Sequence, residues 1–304
     1  GDKYSGGLGT YTANHVPIAI YSPEAEKTFF VYGAGREGKR YLLCMASYYD
    51  HRKGVVPRPT IVHDKQGVDD PHDNPSIALD EQGHVWVFIS GRGRRRPGFI
   101  YRGMKPHCVD AFEQVYEGEF TYPQPWWIEG KGFLHMHTKY TRGRELYFSR
   151  SEDGRTWTEA VKLAGMLGHY QVSNQLGERI VTAFMMHPDG SVDRRTNLYY
   201  AETRDLGHTW HTADGKPLEL PLKDPLGPAL VRNYQAEGRL VYISDTQFDA
   251  DGNPVVLYVT AASYEPGPPG EPRYQTVARW NGRKWHYSDV TRTTHNYDVG
   301  SIYI

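Results

Sequence analysis

The sequence has 304 residues, and 35 Lys and Arg against 36 Asp and Glu give a formal net charge of −1 at pH 7. This balance argues against a general nucleic-acid or membrane-surface binder. It contains 23 Tyr, 7 Trp, 32 Gly and 20 Pro, and short aromatic segments separated by Gly and Pro turns favour an all-β class. Cys44 and Cys108 give no disulfide framework, and no run is apolar enough to span a bilayer. The oligomeric state is left open.

Short apolar runs between turn residues predict strands along the whole chain, and long helical periodicity is missing. The predicted strands cover residues 16–21, 28–32, 41–49, 60–63, 98–102, 133–140, 145–150, 171–174, 180–187, 196–203, 240–245, 255–261, 273–280 and 284–289. The stretch 70–89 reads as a polar turn, a strand, a tight acidic turn and an aromatic strand. Only residues 108–114 are predicted to form a helical turn or two.

An internal repeat carries the fold prediction. Residues 203–210 (TRDLGHTW) match the Asp-box pattern of sialidase-type propellers, and residues 151–157 (SEDGRTW) are a copy one residue shorter. Looser relatives lie at 80–83, 249–253 and 280–285. In each box we expect the acidic side chain to cap turn amides, Gly to take positive φ, and Trp to pack between sheets. The boxes are therefore interpreted as structural.

Repeat length sets the expected architecture. The box tryptophans, Trp157 and Trp210, lie 53 residues apart, and a blade of roughly 50 residues gives about six blades. We predict an all-β single domain over residues 1–304, a β-propeller of four-stranded blades. Residues 298–304 have the pattern of a strand cut off in mid-blade, and an open sheet edge is a liability. We therefore expect that C-terminal sequence is missing.

Two polar stretches in the first half are candidates for a site. His72, in the turn 70–75, could act as a general acid or base or donate a hydrogen bond to a uronate; the alternative is a turn histidine bonded to a backbone carbonyl. Asn74 is a ligand contact or a turn former. Arg92 begins a cluster that could hold a carboxylate, or that forms a solvated basic loop. The other members of this cluster are Arg94, Arg95 and Arg96.

A pair of histidines could bind a metal. His135 and His137 lie two apart in a predicted strand and so face the same side. Two histidines need a third ligand to hold a metal such as zinc, and the sequence places none beside them. A structural Ca or Zn elsewhere is left open, and the chemistry considered below requires no cofactor.

Three polar segments begin strands in the second half. His169 and Tyr170 lie in the segment 168–171, and Tyr170 could transfer a proton if a cation lay beside it. Arg195 lies where a carboxylate clamp is expected, and Arg232 and Tyr234 share one face of a third segment. No Gly-x-Ser-x-Gly elbow, P-loop or dinucleotide fingerprint occurs, and no carboxylate pair suits retaining hydrolysis.

Together these stretches resemble the BNR-repeat propellers that include ulvan lyases, rhamnose–glucuronate lyases and α-L-rhamnosidases. The resemblance rests on the segments 4–11 (YSGGLGTY), 72–75 (HDNP), 168–171 (GHYQ), 195–200 (RTNLYY) and 297–301 (YDVGS). It runs over nearly the whole chain. It implies a seven-bladed fold, a secreted or periplasmic location, and an acidic oligosaccharide or polysaccharide as substrate.

In the lyase members, the resemblance implies an arginine that neutralises a uronate carboxylate and groups that move protons during β-elimination at the 4-position of glucuronate. These roles fall on His72, Tyr170, Arg195 and Tyr234. The family's second histidine is replaced by Arg92, which binds a carboxylate but cannot act as a base. The implied substrate-binding residues are Arg92, Asn74, His169, Arg232 and His137.

Two further interpretations stay open. The rhamnosidase members use a single N-terminal histidine, for which His15 is the only candidate here, and they would hydrolyse rhamnose-α-1,4-glucuronate. The other interpretation is a non-catalytic propeller that binds acidic glycans through Arg92, Arg195 and aromatic rings. Product analysis separates elimination from hydrolysis and from binding alone.

Overall fold

The computed structural model describes residues 14–36 and 39–304, and the predicted segment 4–11 lies outside these residues. The described residues form twenty strands and three short 3₁₀ turns. The strands are β1 (Ala19–Ser22), β2 (Lys27–Arg36), β3 (Lys39–Asp50), β4 (Thr60–Lys65), β5 (Pro75–Leu79), β6 (Val85–Ile89), β7 (Gly98–Gly103), β8 (Phe112–Gly118), β9 (Thr121–Ile128), β10 (Gly132–Tyr140), β11 (Arg144–Ser151), β12 (Val161–Ala164), β13 (His169–Leu176), β14 (Arg179–Met186), β15 (Thr196–Thr203), β16 (Leu230–Arg232), β17 (Leu240–Phe248), β18 (Pro254–Ala261), β19 (Tyr274–Trp280) and β20 (Trp285–Arg292). The 3₁₀ turns are Pro71–Asp73, Pro188–Gly190 and Pro268–Gly270.

Within the described residues, the strands form five sheets, each of four consecutive strands. The prediction of an all-β chain built from four-stranded sheets is confirmed. The estimate of about six blades exceeds the five sheets of the described part because residues 204–229 form no long strand. The propeller arrangement, the family's seven blades and the single domain stay predictions.

The chain divides into two compact units. Unit 1 contains the described residues up to Lys139 together with Ser149–Glu159, and unit 2 contains Tyr140–Phe148 and Ala160–Ile304. Unit 1 holds the sheets β1–β4 and β5–β8, strand β9, and β10 except for Tyr140. Unit 2 holds most of β11, strand β12, and the sheets β13–β16 and β17–β20.

Three inner strands of the sheets are buried on both faces. Every residue of β6, β15 and β18 is buried, as expected for short, continuous apolar strands in a core. In unit 1 the core includes Phe29, Val87 and Ile89 in one cluster and Trp86, Phe88 and Phe133 in another. No helix in the described residues has the length and apolar character needed to cross a membrane.

The Asp boxes have the structural role that was predicted. In the first, the Asp153 carboxylate accepts hydrogen bonds from the amides of Arg155 and Thr156, both at 2.8 Å. Partial burial alone would raise the pKa of Asp153, but these amide bonds hold it below its ordinary value. In the second, the Asp205 carboxylate accepts from the Thr209 amide at 2.9 Å.

In the looser boxes, too, a carboxylate accepts hydrogen bonds from backbone amides of its turn. Asp80 accepts from the amide of His84 at 2.7 Å and from the indole of Trp86 at 2.9 Å. Asp249 accepts from the amide of Asn253 at 2.8 Å. The carboxylates thus fix turns within the fold, which agrees with their interpretation as structural.

One element was predicted wrongly. Residues 108–114 form no helix: strand β8 begins at Phe112 and pairs with β7. The sequence favoured at most a helical turn or two there. Hydrogen bonding to the exposed edge of β7 outweighs that weak local preference.

Candidate functional site

In unit 1, His72 belongs to a network of charged side chains. Asp70 caps the 3₁₀ turn, and its Oδ1 accepts from His72 Nδ1 at 2.5 Å. Its Oδ2 accepts from the Arg96 guanidinium at 2.7 Å. Partial burial would raise the pKa of Asp70, but the hydrogen bonds from His72 and Arg96 hold it far below its ordinary range. The bond at Nδ1 holds the His72 ring in a fixed orientation.

Asp73 lies at the centre of this network. It is fully buried and pairs with Lys65 Nζ at 2.6 Å and with Arg96 at 2.8 Å. Lys65 is itself buried and also donates to the Ser90 carbonyl. Two cations on one buried carboxylate lock the turn that carries His72.

Tyr122 brings three predicted residues together. Its ring centroid lies 5.5 Å from that of His15 and 5.9 Å from that of His72. Its hydroxyl accepts a hydrogen bond from Arg92 at 3.1 Å. Tyr122 is buried and has a φ of 53°, an unusual backbone conformation for a bulky residue. Sequence analysis did not identify Tyr122.

His15 contacts the backbone of the same turn. It is fully buried, and its Nε2–H donates to the His72 carbonyl at 3.0 Å. Asn74, fully buried, follows that turn. Arg94 and Arg95 are exposed, so the arginine cluster divides between the charged network, Tyr122 and solvent.

His135 and His137 lie in the aromatic core of unit 1. Their ring centroids are 4.7 Å apart, and Phe120 packs within 4.8 Å of His135. Burial lowers the pKa of His137 to about 4, and burial followed by the charge of His137 lowers that of His135 well below its ordinary value. No three His, Cys, Asp or Glu side chains in the described residues are grouped to hold a metal.

In unit 2, Arg195 lies among tyrosine rings. Its guanidinium carbon is 4.5 Å from the ring centroid of Tyr170, 4.9 Å from that of Tyr242 and 5.1 Å from that of Tyr297. It also donates to the Tyr297 hydroxyl at 3.0 Å and to the Val192 carbonyl at 2.7 Å. Such stacking orients a buried guanidinium.

His187 completes this group, the Arg195 cluster of Tyr170, His187, Arg195, Tyr242 and Tyr297. Its ring lies edge-on to Tyr170 at 5.0 Å, and neither of its buried ring nitrogens has a hydrogen-bond partner within the described residues. Burial, followed by the charge of Arg195, lowers the pKa of His187 well below its ordinary value. A neutral imidazole therefore lies against Tyr170.

His169 has a structural environment. It is fully buried, and its Nε2 accepts from the Met166 amide while Nδ1–H donates to the Met185 carbonyl, both at 3.0 Å. Burial lowers its pKa to about 4, although the Met185 carbonyl opposes this shift. Both ring nitrogens are used within the sheet, so His169 holds the strand that carries Tyr170.

Arg232 and Tyr234 form a separate group. The Arg232 guanidinium lies 4.4 Å from the Tyr234 ring and pairs with both oxygens of Glu237, at 2.8 and 2.9 Å. The Tyr234 hydroxyl is 2.7 Å from that of Tyr258. Burial raises the pKa of both phenols.

Three members of the Arg195 cluster and Tyr122 had no assigned role in the sequence. Tyr297 lies in the segment 297–301 that carries the family resemblance, so that motif was a usable signal. His187 directly follows β14, in the position at a strand end where other candidates were sought. Tyr242 and Tyr122 have no distinguishing local pattern among 23 tyrosines.

Known relatives are distant in sequence. An ulvan lyase-PL25 from Pseudoalteromonas sp. (strain PLSV) is 19% identical over 252 residues, 71% of this chain and 51% of that protein. An ulvan lyase from Nonlabens ulvanivorans is 23% identical over 262 residues, 73% of this chain and 54% of that protein. The chain thus spans about half the length of the curated relatives it matches.

A solved structure shares the fold. A PL25 ulvan lyase bound to -[GlcA(1-4)Rha3S]- superposes with a TM-score of 0.75 at 16% identity, over 94% of this chain and 74% of that chain. The model of the BNR repeat-containing family matches residues 38–293. Since this match covers most of the sequence, the chain belongs to the BNR repeat-containing family.

Proposed function

We propose that this protein is a polysaccharide lyase that cleaves uronate-containing chains at the 4-position of glucuronate by β-elimination. The observation that carries the proposal is the Arg195 cluster, in which a buried guanidinium and a neutral imidazole both lie against Tyr170. The likeness to ulvan lyases, one of them solved with bound -[GlcA(1-4)Rha3S]-, supports a sulfated, uronate-bearing polysaccharide as substrate. Because such a polymer is too large to enter a cell, we infer action in a secreted or periplasmic location.

In the proposed reaction, Arg195 pairs with the uronate carboxylate and stabilises the negative charge that develops when the C5 proton leaves. Tyr170 takes this proton as its own hydroxyl proton passes to neutral His187. This transfer needs a hydrogen bond between the two side chains that forms on substrate binding, since the His187 ring nitrogens have no partner among the described residues. The electrons of the C5–H bond form the C4–C5 double bond, and the bond from C4 to the glycosidic oxygen breaks. The departing oxygen takes a proton back from the Tyr170–His187 pair, which restores both groups.

His72 is proposed as a catalytic residue on separate grounds. Its ring is held through Nδ1 by the Asp70 carboxylate, the way in which a carboxylate orients a catalytic histidine. Arg92 and Asn74, near the same turn, are proposed to bind substrate. His137 and His169 are proposed to act by positioning, since both are buried within the sheets. Tyr234 and Arg232 keep their predicted roles as proposals, although Glu237 already compensates the Arg232 charge.

The test is product analysis with ulvan. We expect a product with new ultraviolet absorbance and a mass one water below the hydrolytic fragment. Tyr170→Phe should lower turnover by about a hundredfold or more while calorimetric binding stays within about threefold of wild type. Exposed Tyr264 provides the matched control, since Tyr264→Phe should leave turnover unchanged.

Other products would overturn the assignment. Free rhamnose together with saturated glucuronate would mean hydrolysis, and His15→Ala would then be the variant to test for loss of turnover. Saturable binding with neither product would mean a non-catalytic binder of acidic glycans. Full turnover by Tyr170→Phe would reject Tyr170 as the base even if elimination occurs.

A further inference from the structure

Unit 2 contains an open cleft that includes no residue of the Arg195 cluster. Its volume is about 430 Å³, and it is lined by β15, β16, the turn 212–216 and the β19–β20 hairpin. This volume lies within the range of about 300–1,000 Å³ of small-ligand sites. Tyr170 lies on β13, the first strand of its sheet, whereas β15 and β16 are the third and fourth. The cleft is therefore a separate surface feature, here named the rim cleft.

Aromatic rings form one wall of the rim cleft. The Trp285 ring lies 5.6 Å from that of Trp280 and 5.3 Å from that of Tyr200. Trp285 and Tyr287 are half-buried and alternate with exposed residues on β20, so part of each ring faces solvent. Flat aromatic surface that stays partly exposed suits the apolar C–H faces of sugar rings.

The aromatic wall is held in place. The Tyr287 hydroxyl donates to the Val231 carbonyl at 2.9 Å, which ties β20 to β16 across the cleft. The Arg232 guanidinium lies 4.7 Å from the Tyr287 ring. The wall is thus formed before any ligand binds, which lowers the entropic cost of binding.

Cations also line the rim cleft. Arg283 and Lys284 are exposed in the turn between β19 and β20, and neither side chain forms an ion pair with another described residue. Lys216 also lines the rim cleft, but Asp214 pairs with it at 2.9 Å. Three cations against one carboxylate give the cleft a positive balance, although the whole chain carries a net charge of −1.

We propose that the rim cleft binds anionic sugar units of the polysaccharide at a second contact, apart from the bond that is cleaved. Trp285 would stack on a sugar ring, and Arg283 and Lys284 would pair with its sulfate or carboxylate groups. The choice of a sulfated, uronate-bearing polymer rests on the proposed function. The cleft would keep the enzyme on the chain between cleavages.

The test is binding of ulvan by the Tyr170→Phe protein, measured by affinity electrophoresis and calorimetry. Adding Arg283→Glu and Lys284→Glu should weaken binding by about tenfold and reduce its dependence on NaCl. The exposed pair Arg58→Glu and Lys105→Glu, with the same change in charge, should weaken it by less than about twofold. Dextran, an uncharged polymer, should not bind in the rim cleft.

A second variant tests the aromatic wall. Trp285→Ala should weaken ulvan binding by about tenfold as well, with an unchanged circular dichroism spectrum as the check on folding. Equal binding by the charge-reversed and control proteins would overturn the proposal. Ulvan binding that depends on Arg283 and Lys284 in a wild-type protein that yields no unsaturated product would support the cleft and reject the lyase activity. An unsaturated product together with binding that does not depend on Arg283 and Lys284 would reject the cleft but keep the lyase activity.

Discussion

At the residue scale, one carboxylate holds the His72 turn together. Asp73 is fully buried and accepts from both Lys65 and Arg96. Removing one member of a buried ion pair is costly because the partner's charge is left without compensation. The Lys65 ammonium, buried beside Ser90, would be that charge.

We therefore expect Asp73→Asn to lower the free energy of unfolding by about 3–5 kcal/mol, measured by urea denaturation. Arg36→Gln breaks the exposed pair with Asp64 and should cost less than about 1 kcal/mol. A loss below about 1 kcal/mol in Asp73→Asn would show that the network adds little to stability.

Residues of the candidate site could be predicted only where their local sequence was distinctive. His72 lies in a polar turn and Arg195 precedes an aromatic strand, so both were found. His187 and Tyr122 gain their importance from rings that are distant in sequence, His187 from Tyr170 and Tyr122 from His15 and His72. Such contacts depend on sheet register, and no local pattern encodes them.

At the element scale, the glycine of the first Asp box, Gly154, is required both by its backbone conformation and by the close packing of Trp86. Gly154 has a φ of +70°, and a Cβ at this position would lie 2.4 Å from the Trp86 ring. Gly177 has a φ of +59°, but a Cβ there would meet nothing within 4 Å. Replacing Gly177 by alanine therefore introduces backbone strain alone, whereas replacing Gly154 introduces both backbone strain and steric overlap with Trp86.

Gly177→Ala should cost about 1–2 kcal/mol from the left-handed backbone alone. Gly154→Ala should cost about 1–3 kcal/mol more, because the new methyl group must displace Trp86. Thermal and urea denaturation of both variants measure the difference. Equal losses would mean that Trp86 moves aside without cost.

Elements with clear alternation were predictable, and others were not. Strand β9 contains Pro123 and Pro125, which lower any strand prediction because proline lacks a donor. The two prolines are tolerated in β9 because it is an edge strand that pairs with β10 alone. Tertiary pairing likewise formed β8 against the local preference of residues 108–114.

At the scale of the whole molecule, buried histidines make stability depend on pH. Burial lowers the pKa of His137 and of His169 to about 4, from an ordinary 6.5. Between these values the unfolded chain binds protons that the native chain does not. The contribution of these two neutral histidines to the free energy of unfolding is therefore fully present above pH 6.5. It decreases as the pH falls and is lost below about pH 4.

The expected slope is about 1.4 kcal/mol per pH unit for each such histidine, measured by urea unfolding between pH 7 and pH 4.5. His169→Gln should be less stable at pH 7 but have a shallower slope. Exposed His51 serves as the control, and His51→Gln should keep the wild-type slope. An unchanged slope in His169→Gln would contradict the assigned cause.

The number of sheets was less predictable than the four-stranded build of each sheet. The sheets beginning at Pro75 and Thr121 start 46 residues apart, whereas those beginning at His169 and Leu240 start 71 apart. The repeat gave the four-stranded unit correctly because box turns are local. The long segment 204–229 between β15 and β16 has no counterpart in the repeat, so dividing length by period gave more blades than the five sheets of the described residues.

The contact between Gly154 and Trp86 has a consequence for how such a chain changes over time. Gly154 belongs to the box after β11, and Trp86 lies on β6 of the preceding sheet. A sheet copied together with its box glycine and with the tryptophan that packs on it would bring both sides of this contact. Gene duplication could then lengthen the array without designing a new interface, while the loops between these contacts diverge toward different polymers.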